Sequence, residues 1–387
     1  MFITIIIFVV VLSILVFVHE MGHFFTAKKM GAKVEEFGFG LPPRAVGVYK
    51  KDGKWKWVGK KTAKEEAFDT TIYSINWLPI GGFVQIKGEN GEGVEESDSF
   101  ACKPIWQRAI MLSAGVLMNI VLCMVLLIII FMAGSPTAIN DNMADSAVIS
   151  NAQVRIWSVI DDAPAQAAGM EAGDVVVKIN DQDISRRVEM QELLDDKEGE
   201  TVVIAIDRDG KELVLDVGVV AYQDIVGIGV SVMETATVRY PWYLAIWQGI
   251  KTTFIWLAAI ITAFVLIIKN LIIGAPIGVE VAGPVGIAVM TGQAAQMGWV
   301  YIMQFTALLS INLAIVNILP VPALDGGRLV FLLVEKIRGK PASQKWEAMA
   351  HNTGFMLLML LVLFVTYKDI VRYGGEFLKR IGSLVGL

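Results

Sequence analysis

The segment His19-Glu20-Met-Gly-His23 sets two histidines four residues apart with a carboxylate beside the first, and the chain holds one further histidine, His351. On a helix, positions i and i+4 share a face one turn apart. Both imidazoles can therefore close on one zinc ion while Glu20 reaches the water bound there. The chemistry this would give is metal-assisted hydrolysis of a peptide bond. The same five residues also arise by chance on a helix end, and their setting decides between the two readings. Phe2 to Val18 run for seventeen positions without a charge, which puts His19, Glu20 and His23 in or at the edge of a membrane helix. Ionisable side chains at that depth are costly and are kept where they work.

A catalytic zinc takes three protein ligands and leaves one position open for water, so a third ligand must come from elsewhere. Asp325 and His351 are the candidates. Asp325 stands in Pro320-Val-Pro322-Ala-Leu324-Asp325-Gly-Gly-Arg328, where the prolines break a helix and deliver the carboxylate on irregular backbone, tolerated at membrane depth only in a polar cavity or inside protein. His351 stands among Met349, Ala350, Asn352 and Thr353; a lone histidine beside a helix start is more often a surface or capping residue than a ligand. With only two cysteines, Cys102 in a charged loop and Cys123 in an apolar run, a cysteine-based metal site is excluded.

The elements that must position these residues belong to a polytopic membrane protein. The chain has 387 residues, 55% of them hydrophobic, with mean hydropathy +0.59, too apolar for a soluble protein of this length. No basic patch with interleaved aromatics points to nucleic acid. The first apolar run lacks a basic leader and is expected to remain as an uncleaved anchor. Residues 26–105 carry Lys28, Lys29, Lys33, Arg44, Lys50, Lys51, Lys54, Lys56, Lys60, Lys61 and Lys64 and are expected in the cytoplasm. Within them, 34–40 and 78–86 alternate and are punctuated by glycine, as strands or hairpins would be; an exposed strand edge there could hold an unwound substrate segment extended. Ala109 to Ala133 read as a second span, whose polar side chains are Ser113 and Asn119.

Residues 134–240 lose the apolar character and turn acidic, as an extracytoplasmic domain would. From Val154 to Asn180 the pattern is strand, small-residue helix, glycine turn, strand. It continues with a helix at 187–194, strands at 201–207 and 212–217 and a turn at Asp209-Gly210. This segment resembles a PDZ domain, on Ala163-Pro164-Ala165, Ala168-Gly169 and Gly173-Asp174; such domains take extended peptide ends onto a sheet edge. Thr252 to Ile268 is uncharged but just long enough to span. Trp299 to Leu319 is a firmer span, and Gly354 to Tyr367 a last one. Parity restricts the first of these: a full crossing by 252–268 would leave Asp325 at the face opposite His19 and His23, and about 30 Å of bilayer cannot be bridged by a metal bond of about 2 Å. That segment is therefore expected to lie along the surface or re-enter, giving four spans with both termini outside. Lys368, Arg372, Lys379 and Arg380 run against this orientation.

Val18 to Phe24, with Asn317-Ile-Leu-Pro320-Val-Pro322-Ala-Leu-Asp325-Gly, resembles the paired signature of the site-2 protease family of intramembrane zinc metalloproteases. The PDZ-like insert, Gly81-Gly82-Phe83 and Gly283-Pro284-Val285-Gly286 are similar to its bacterial RseP-type branch, in a single-PDZ form. The resemblance covers nearly the whole chain. It implies that His19, His23 and Asp325 bind one zinc ion, that Glu20 is the catalytic base, that Asn317 sits near the scissile peptide, and that the region from Gly81 through Phe83 to Ile86 is a membrane-dipping β-loop handling substrate. It departs from the family at Val116, commonly proline, and in having one PDZ-like domain rather than two.

The expected fold is a polytopic α-helical membrane protein of about four transmembrane helices, with a membrane-associated β-hairpin region and an inserted extracytoplasmic PDZ-like α+β domain. The expected parts are 1–133, 134–240, 241–298 and 299–387. The resemblance implies cleavage within or near transmembrane segments, as in regulated intramembrane proteolysis of anti-sigma factors or of signal-peptide remnants. It also implies a multi-pass location in a bacterial cytoplasmic membrane and single-span substrates trimmed beforehand by another protease, with peptide ends at the PDZ-like domain. A non-catalytic PDZ-bearing scaffold would want a structural zinc with a fourth protein ligand, which the sequence does not offer. A zinc transporter would show repeated halves, and no repeat is visible.

Overall fold

A computed structural model describes residues 2–59, 70–138, 148–160, 162–208, 210–222, 225–275, 282–341 and 343–385. Lys60, Lys61, Lys64 and Asp209, named above, lie outside them. The chain forms two compact units, one of residues 1–127 and 249–387 and the other of residues 128–248. The first unit begins with α1 (Phe2–Lys29), whose uncharged first five turns end in the histidine pair and Lys28-Lys29. Three strands follow, β1 (Val34–Lys51), β2 (Lys54–Val58) and β3 (Ile72–Ile86), in the order β2-β1-β3.

The two long strands are each bent. Glu36 to Phe39 pair with Ile72 to Ile75 and again with Gly82 to Gln85, while Tyr73 to Ile75 also pair with Val46 to Val48. The sequence thus folds into five side-by-side segments from three strands, and among the described residues none pairs with the outer edge of 82–86. Its bend lies against α1 at the level of residues 13–17. The Gly81 N–H donates to Ser13 Oγ at 3.2 Å, the Ser13 hydroxyl donates to Pro79 O at 3.3 Å, and a Cβ on Gly81 would stand 2.9 Å from Val16. The Phe37 ring stacks on Phe24 at 4.5 Å. Trp77 and Leu78 at the bend are exposed. The helix α2 (Ile105–Ala133) then crosses α1 closely: a Cβ on Gly22 would stand 2.6 Å from the Ala114 carbonyl carbon.

The second unit holds β4 (Ser135–Ala138), β5 (Val148–Val159), α3 (Pro164–Ala167), β6 (Val175–Ile179), β7 (Gln182–Asp183), α4 (Arg187–Asp195), β8 (Thr201–Arg208), β9 (Lys211–Gly218), β10 (Val220–Tyr222), β11 (Ile225–Gly227) and β12 (Val230–Arg239). Its main sheet runs β4-β12-β5-β6-β8-β9, with β7 on β6. Alternation sends Val154 and Ile156, Val202, Ile204 and Ile206 inward to one core with Leu194 of α4. The Gly173-Asp174 signature has a physical reason: Gly173 takes φ 104°, and the buried Asp174 carboxylate accepts from Arg208 Nε at 2.7 Å and from the Glu171 N–H at 2.8 Å. Burial alone would raise this carboxyl, and Arg208 with the Glu171 N–H outweighs it, holding the group below its usual range.

The chain continues into α5 (Trp242–Ile273), α6 (Pro284–Met297), α7 (Trp299–Ile318), α8 (Asp325–Arg338) and α9 (Gln344–Val385). Among the described residues five helices are long and apolar enough to cross a membrane: α1, α2, α5, α7 and residues 344–372 of α9. The expected 17-residue run is thus part of one unbroken 32-residue helix, which has no proline and, after Gly249, no glycine before Gly274. The short helix α6 closes one end of the first unit. Its Gly286 N–H donates to Asp369 of α9 at 2.7 Å, and its Gly292 meets Thr4 in the first turn of α1. The other end is tied by ion pairs. Arg108 of α2 forks onto Glu335 of α8 at 3.0 and 2.5 Å, and Arg328 of α8 pairs with Glu89 in the turn after β3.

Candidate metal centre

His19 and His23 lie on one face of α1, buried, with ring centroids 4.9 Å apart. Asp325 reaches them from the first position of α8 rather than from irregular backbone, because the helix-breaking segment ends at the N-cap Leu324. The Gly326-Gly327 pair makes the delivery possible. A Cβ on Gly327 would stand 2.8 Å from the Val321 carbonyl carbon, and one on Gly326 would strike the carbonyls of Ile318 and Leu319. The Asp325 Oδ2 atom stands 3.0 Å from His19 Nε2 and 3.5 Å from His23 Nε2, and the two Nε2 atoms are 3.2 Å apart.

Hydrogen bonds behind the rings fix what these three atoms can do. His23 Nδ1 is 2.8 Å from the Met111 carbonyl, which can only accept, so the ring proton is on Nδ1 and Nε2 presents a lone pair. His19 Nδ1 is 3.2 Å from Asn119 Nδ2, while the Oδ1 of that amide has no partner among the described residues. Turning that amide over satisfies Oδ1 with the His19 Nδ1–H and frees Nε2 in the same way. Three lone-pair atoms then converge with no proton among them, an arrangement that repels itself unless a cation sits between. Their separations match the edge of a tetrahedron with bonds of 2.0–2.1 Å, about 3.3 Å. The residues present fit zinc. Among the described residues this trio is the only group of histidine, cysteine or acidic side chains clustered closely enough to hold a metal.

Of the other residues singled out in the sequence, Glu20 is half-buried beside the trio, in electrostatic reach of His23, His19, Asp325 and Glu89. Asn317 Nδ2 lies 3.4 Å from His19 Nε2. Gly81, Gly82 and Phe83 are on the bend and free-edged half of β3, against α1 rather than in the trio. His351, the rival third ligand, is inside α9, not beside a helix start, and accepts the Ala323 N–H instead of joining the histidines. Sequence reading passed over Asn119 and Gly115. Asn119 carried a usable signal as a polar side chain in a span, but its partner is a hundred residues away. Gly115 carried none: it faces the histidines so closely that a Cβ would stand 2.6 Å from His19 Cε1.

A family model described as peptidase family M50 matches residues 7–58 and 57–361. Zinc metalloprotease RasP of Geobacillus kaustophilus is 32% identical over 96% of this chain and 98% of its own length. Regulator of sigma-W protease RasP of Bacillus subtilis is 28% identical over 95% and 98%. Among solved structures, the PDZ domain of an SdrC-like protein from Listeria monocytogenes matches 20% of this chain and 85% of its own, at 29% identity and a TM-score of 0.20.

The close approach of α2 to the histidines is testable through the metal. Gly115→Ala is expected to purify folded but without zinc, and Asn119→Leu to weaken zinc by about 10- to 100-fold, as loss of an orienting partner does. Metal analysis and chelator competition read both; about one zinc per chain retained by Gly115→Ala contradicts the packing described.

Proposed function

The chain belongs to peptidase family M50, and from that premise we propose that His19, His23 and Asp325 hold the zinc ion and Glu20 acts as the base beside it. The protein is a zinc metalloprotease of the site-2 type, with zinc as cofactor and regulated intramembrane proteolysis as its activity. The observation that carries the residue assignment is the convergence of three lone-pair atoms from positions 19, 23 and 325. When bound, zinc supplies a Lewis acid that polarises the scissile carbonyl and acidifies water. Glu20 takes a proton from the attacking water and hands it to the leaving amine. The Asn317 side-chain amide donates to the carbonyl oxygen as charge builds there.

Substrate must arrive extended, since a helix shields the amide to be cut. The open edge of β3 at 82–86 offers main-chain groups for pairing, and a cavity of about 480 Å³ lined by Phe83, Gln85, Glu92 and, from β1, Glu35 and Pro42 adjoins the strand. Gly81, Gly82 and Phe83 are in this reading substrate-handling residues. Membrane proteins are the substrates; single-span ones already trimmed by another protease are the class we favour, anti-sigma factors and signal-peptide remnants among them, in a bacterial cytoplasmic membrane.

Four full spans, with both termini outside, is the topology that the ties of α6 support. Gly283 lies against Val365 and Asp369 of α9, and Gly292 against Thr4 of α1, which sets α6 at the end of the unit where α1 starts, in this reading the outer end. A crossing by α5 would set Gly274 and Gly283 on opposite faces, about 30 Å apart, close to the limit of what the chain joining them can span. Along the outer interface α5 avoids this, and its exposed Trp242, Tyr243 and Trp247 suit that level.

Three measurements test these assignments. Glu20→Gln is expected to keep about one zinc per chain and lose cleavage, while Asp325→Ala loses most of the metal; unchanged zinc in the latter removes Asp325 from the ligand set. A cysteine at position 275 is expected to react with an impermeant reagent added from outside, and labelling only from the cytoplasmic side refutes four spans. Replacing residues 150–220 by a short flexible linker is expected to preserve zinc and to admit untrimmed substrates, if the second unit excludes by size; loss of cleavage of trimmed ones instead makes it a recruiting module.

A further inference from the structure

The segment between α7 and α8 carries Asp325 to the histidines, and its conformation is unusual. Ala323 takes φ +78°, a left-handed region that a residue with a Cβ seldom occupies. Such a bend persists only where its surroundings hold it. The holding group is on α9. His351 Nδ1 lies 2.9 Å from the Ala323 N–H, the one backbone donor that the bend turns away from its own chain toward that helix. Because Nδ1 accepts, the ring is neutral with its proton on Nε2, a buried nitrogen with no acceptor among the described residues. The ring is fixed from the side by Phe331 of α8, centroids 5.6 Å apart. One turn on, Gly354 lets α9 lie directly on the loop: a Cβ there would stand 2.6 Å from Pro322 Cβ and 2.7 Å from its carbonyl carbon.

We propose that His351 is a positioning residue for the metal centre, holding the left-handed bend at Ala323 through its Nδ1 and so fixing the Asp325 carboxylate two residues on against His19 and His23. The inference rests on the assignment of Asp325 as a ligand and adds an outer support to it. Asp325 Oδ2 is buried and accepts no conventional donor among the described residues, so its place depends on the metal and on the backbone that presents it. Without the His351 acceptor, the Ala323 N–H loses its partner and the loop relaxes toward ordinary backbone angles. The carboxylate then visits the metal-binding position for a smaller fraction of time. Apparent zinc affinity falls in proportion, while the ligand count stays at three.

The test uses purified full-length protein loaded with zinc and transfer of the metal to a chromophoric chelator. His351→Met, similar in size and lacking an acceptor at that position, is expected to release zinc about 3- to 10-fold faster than wild type, the scale of one lost hydrogen bond. His351→Asn places an oxygen near where Nδ1 stood and is expected to release zinc at close to the wild-type rate. Gly354→Ala, which leaves His351 in place and pushes on Pro322, is expected to speed release as well, and so keeps the inference testable should His351→Met not fold. A wild-type release rate in His351→Met or Gly354→Ala overturns it. So does equally fast release in His351→Met and His351→Asn, which would make the ring a space-filling part of α9. Asp325→Ala measured alongside separates the two claims: if that variant keeps its zinc, the ligand assignment fails, whereas zinc lost there with wild-type release in His351→Met overturns only the role of His351.

Discussion

Three lone pairs brought together without a proton between them govern this structure. His19 Nε2, His23 Nε2 and Asp325 Oδ2 stand 3.0 to 3.5 Å apart; the Met111 carbonyl holds the His23 proton on the far side, and the Asn119 amide, turned over, does the same for His19. Such an arrangement is unfavourable by itself and becomes favourable only around a cation. A metal held by these three atoms, as proposed, would also be a structural link, joining the end of α1 to the start of α8 across three hundred residues of chain. Binding energy of this kind is folding energy for whatever it ties together. The close crossing of α1 and α2 at Gly22, Ala114 and Gly115 serves the same requirement, since any side chain at 115 would occupy the space the histidines use.

A second constraint is the backbone of the bent sheet. A polar main chain at membrane depth must find its hydrogen bonds inside the protein, and the doubling back of β1 and β3 gives most of it partners on both sides. The half-strand 82–86 is the exception, and its open groups are what the proposed pairing with an extended substrate would complete. The bend before it is apolar through the exposed Trp77 and Leu78, and a cluster of charge follows in the turn at 87–98. There Lys87 lies between Glu96 and Asp98; hydrogen bonds to those carboxylates raise its pKa and hold the turn in shape. The adjoining pair of Arg328 with Glu89 couples the loop that follows the substrate edge to the helix that begins with Asp325. The pair thus connects the end of β3 to the start of the helix that carries the carboxylate.

The amino-acid sequence by itself determined the helix that bears His19, Glu20 and His23, because five uncharged turns and an i, i+4 pair are local facts. It likewise determined the strands of the second unit, whose alternation at 201–208 and 211–218 is written in nearest neighbours, and it marked the helix stop at Pro320 and Pro322. It left the third partner of the histidines open on spacing alone, with Asp325 favoured because a lone histidine such as His351 is more often a surface or capping residue, and then by resemblance. The tertiary structure decided which of the two candidates meets His19 and His23, since that depends on how α1, α7 and α8 cross, and crossing is set by contacts between residues hundreds of positions apart. It also gave His351 a different occupation, turned Asn119 toward a ring in another helix, and showed why position 115 has no side chain. None of these has a local pattern. A glycine required by a distant imidazole looks the same in sequence as any other glycine, and a bend held from another helix is invisible until that helix is in place.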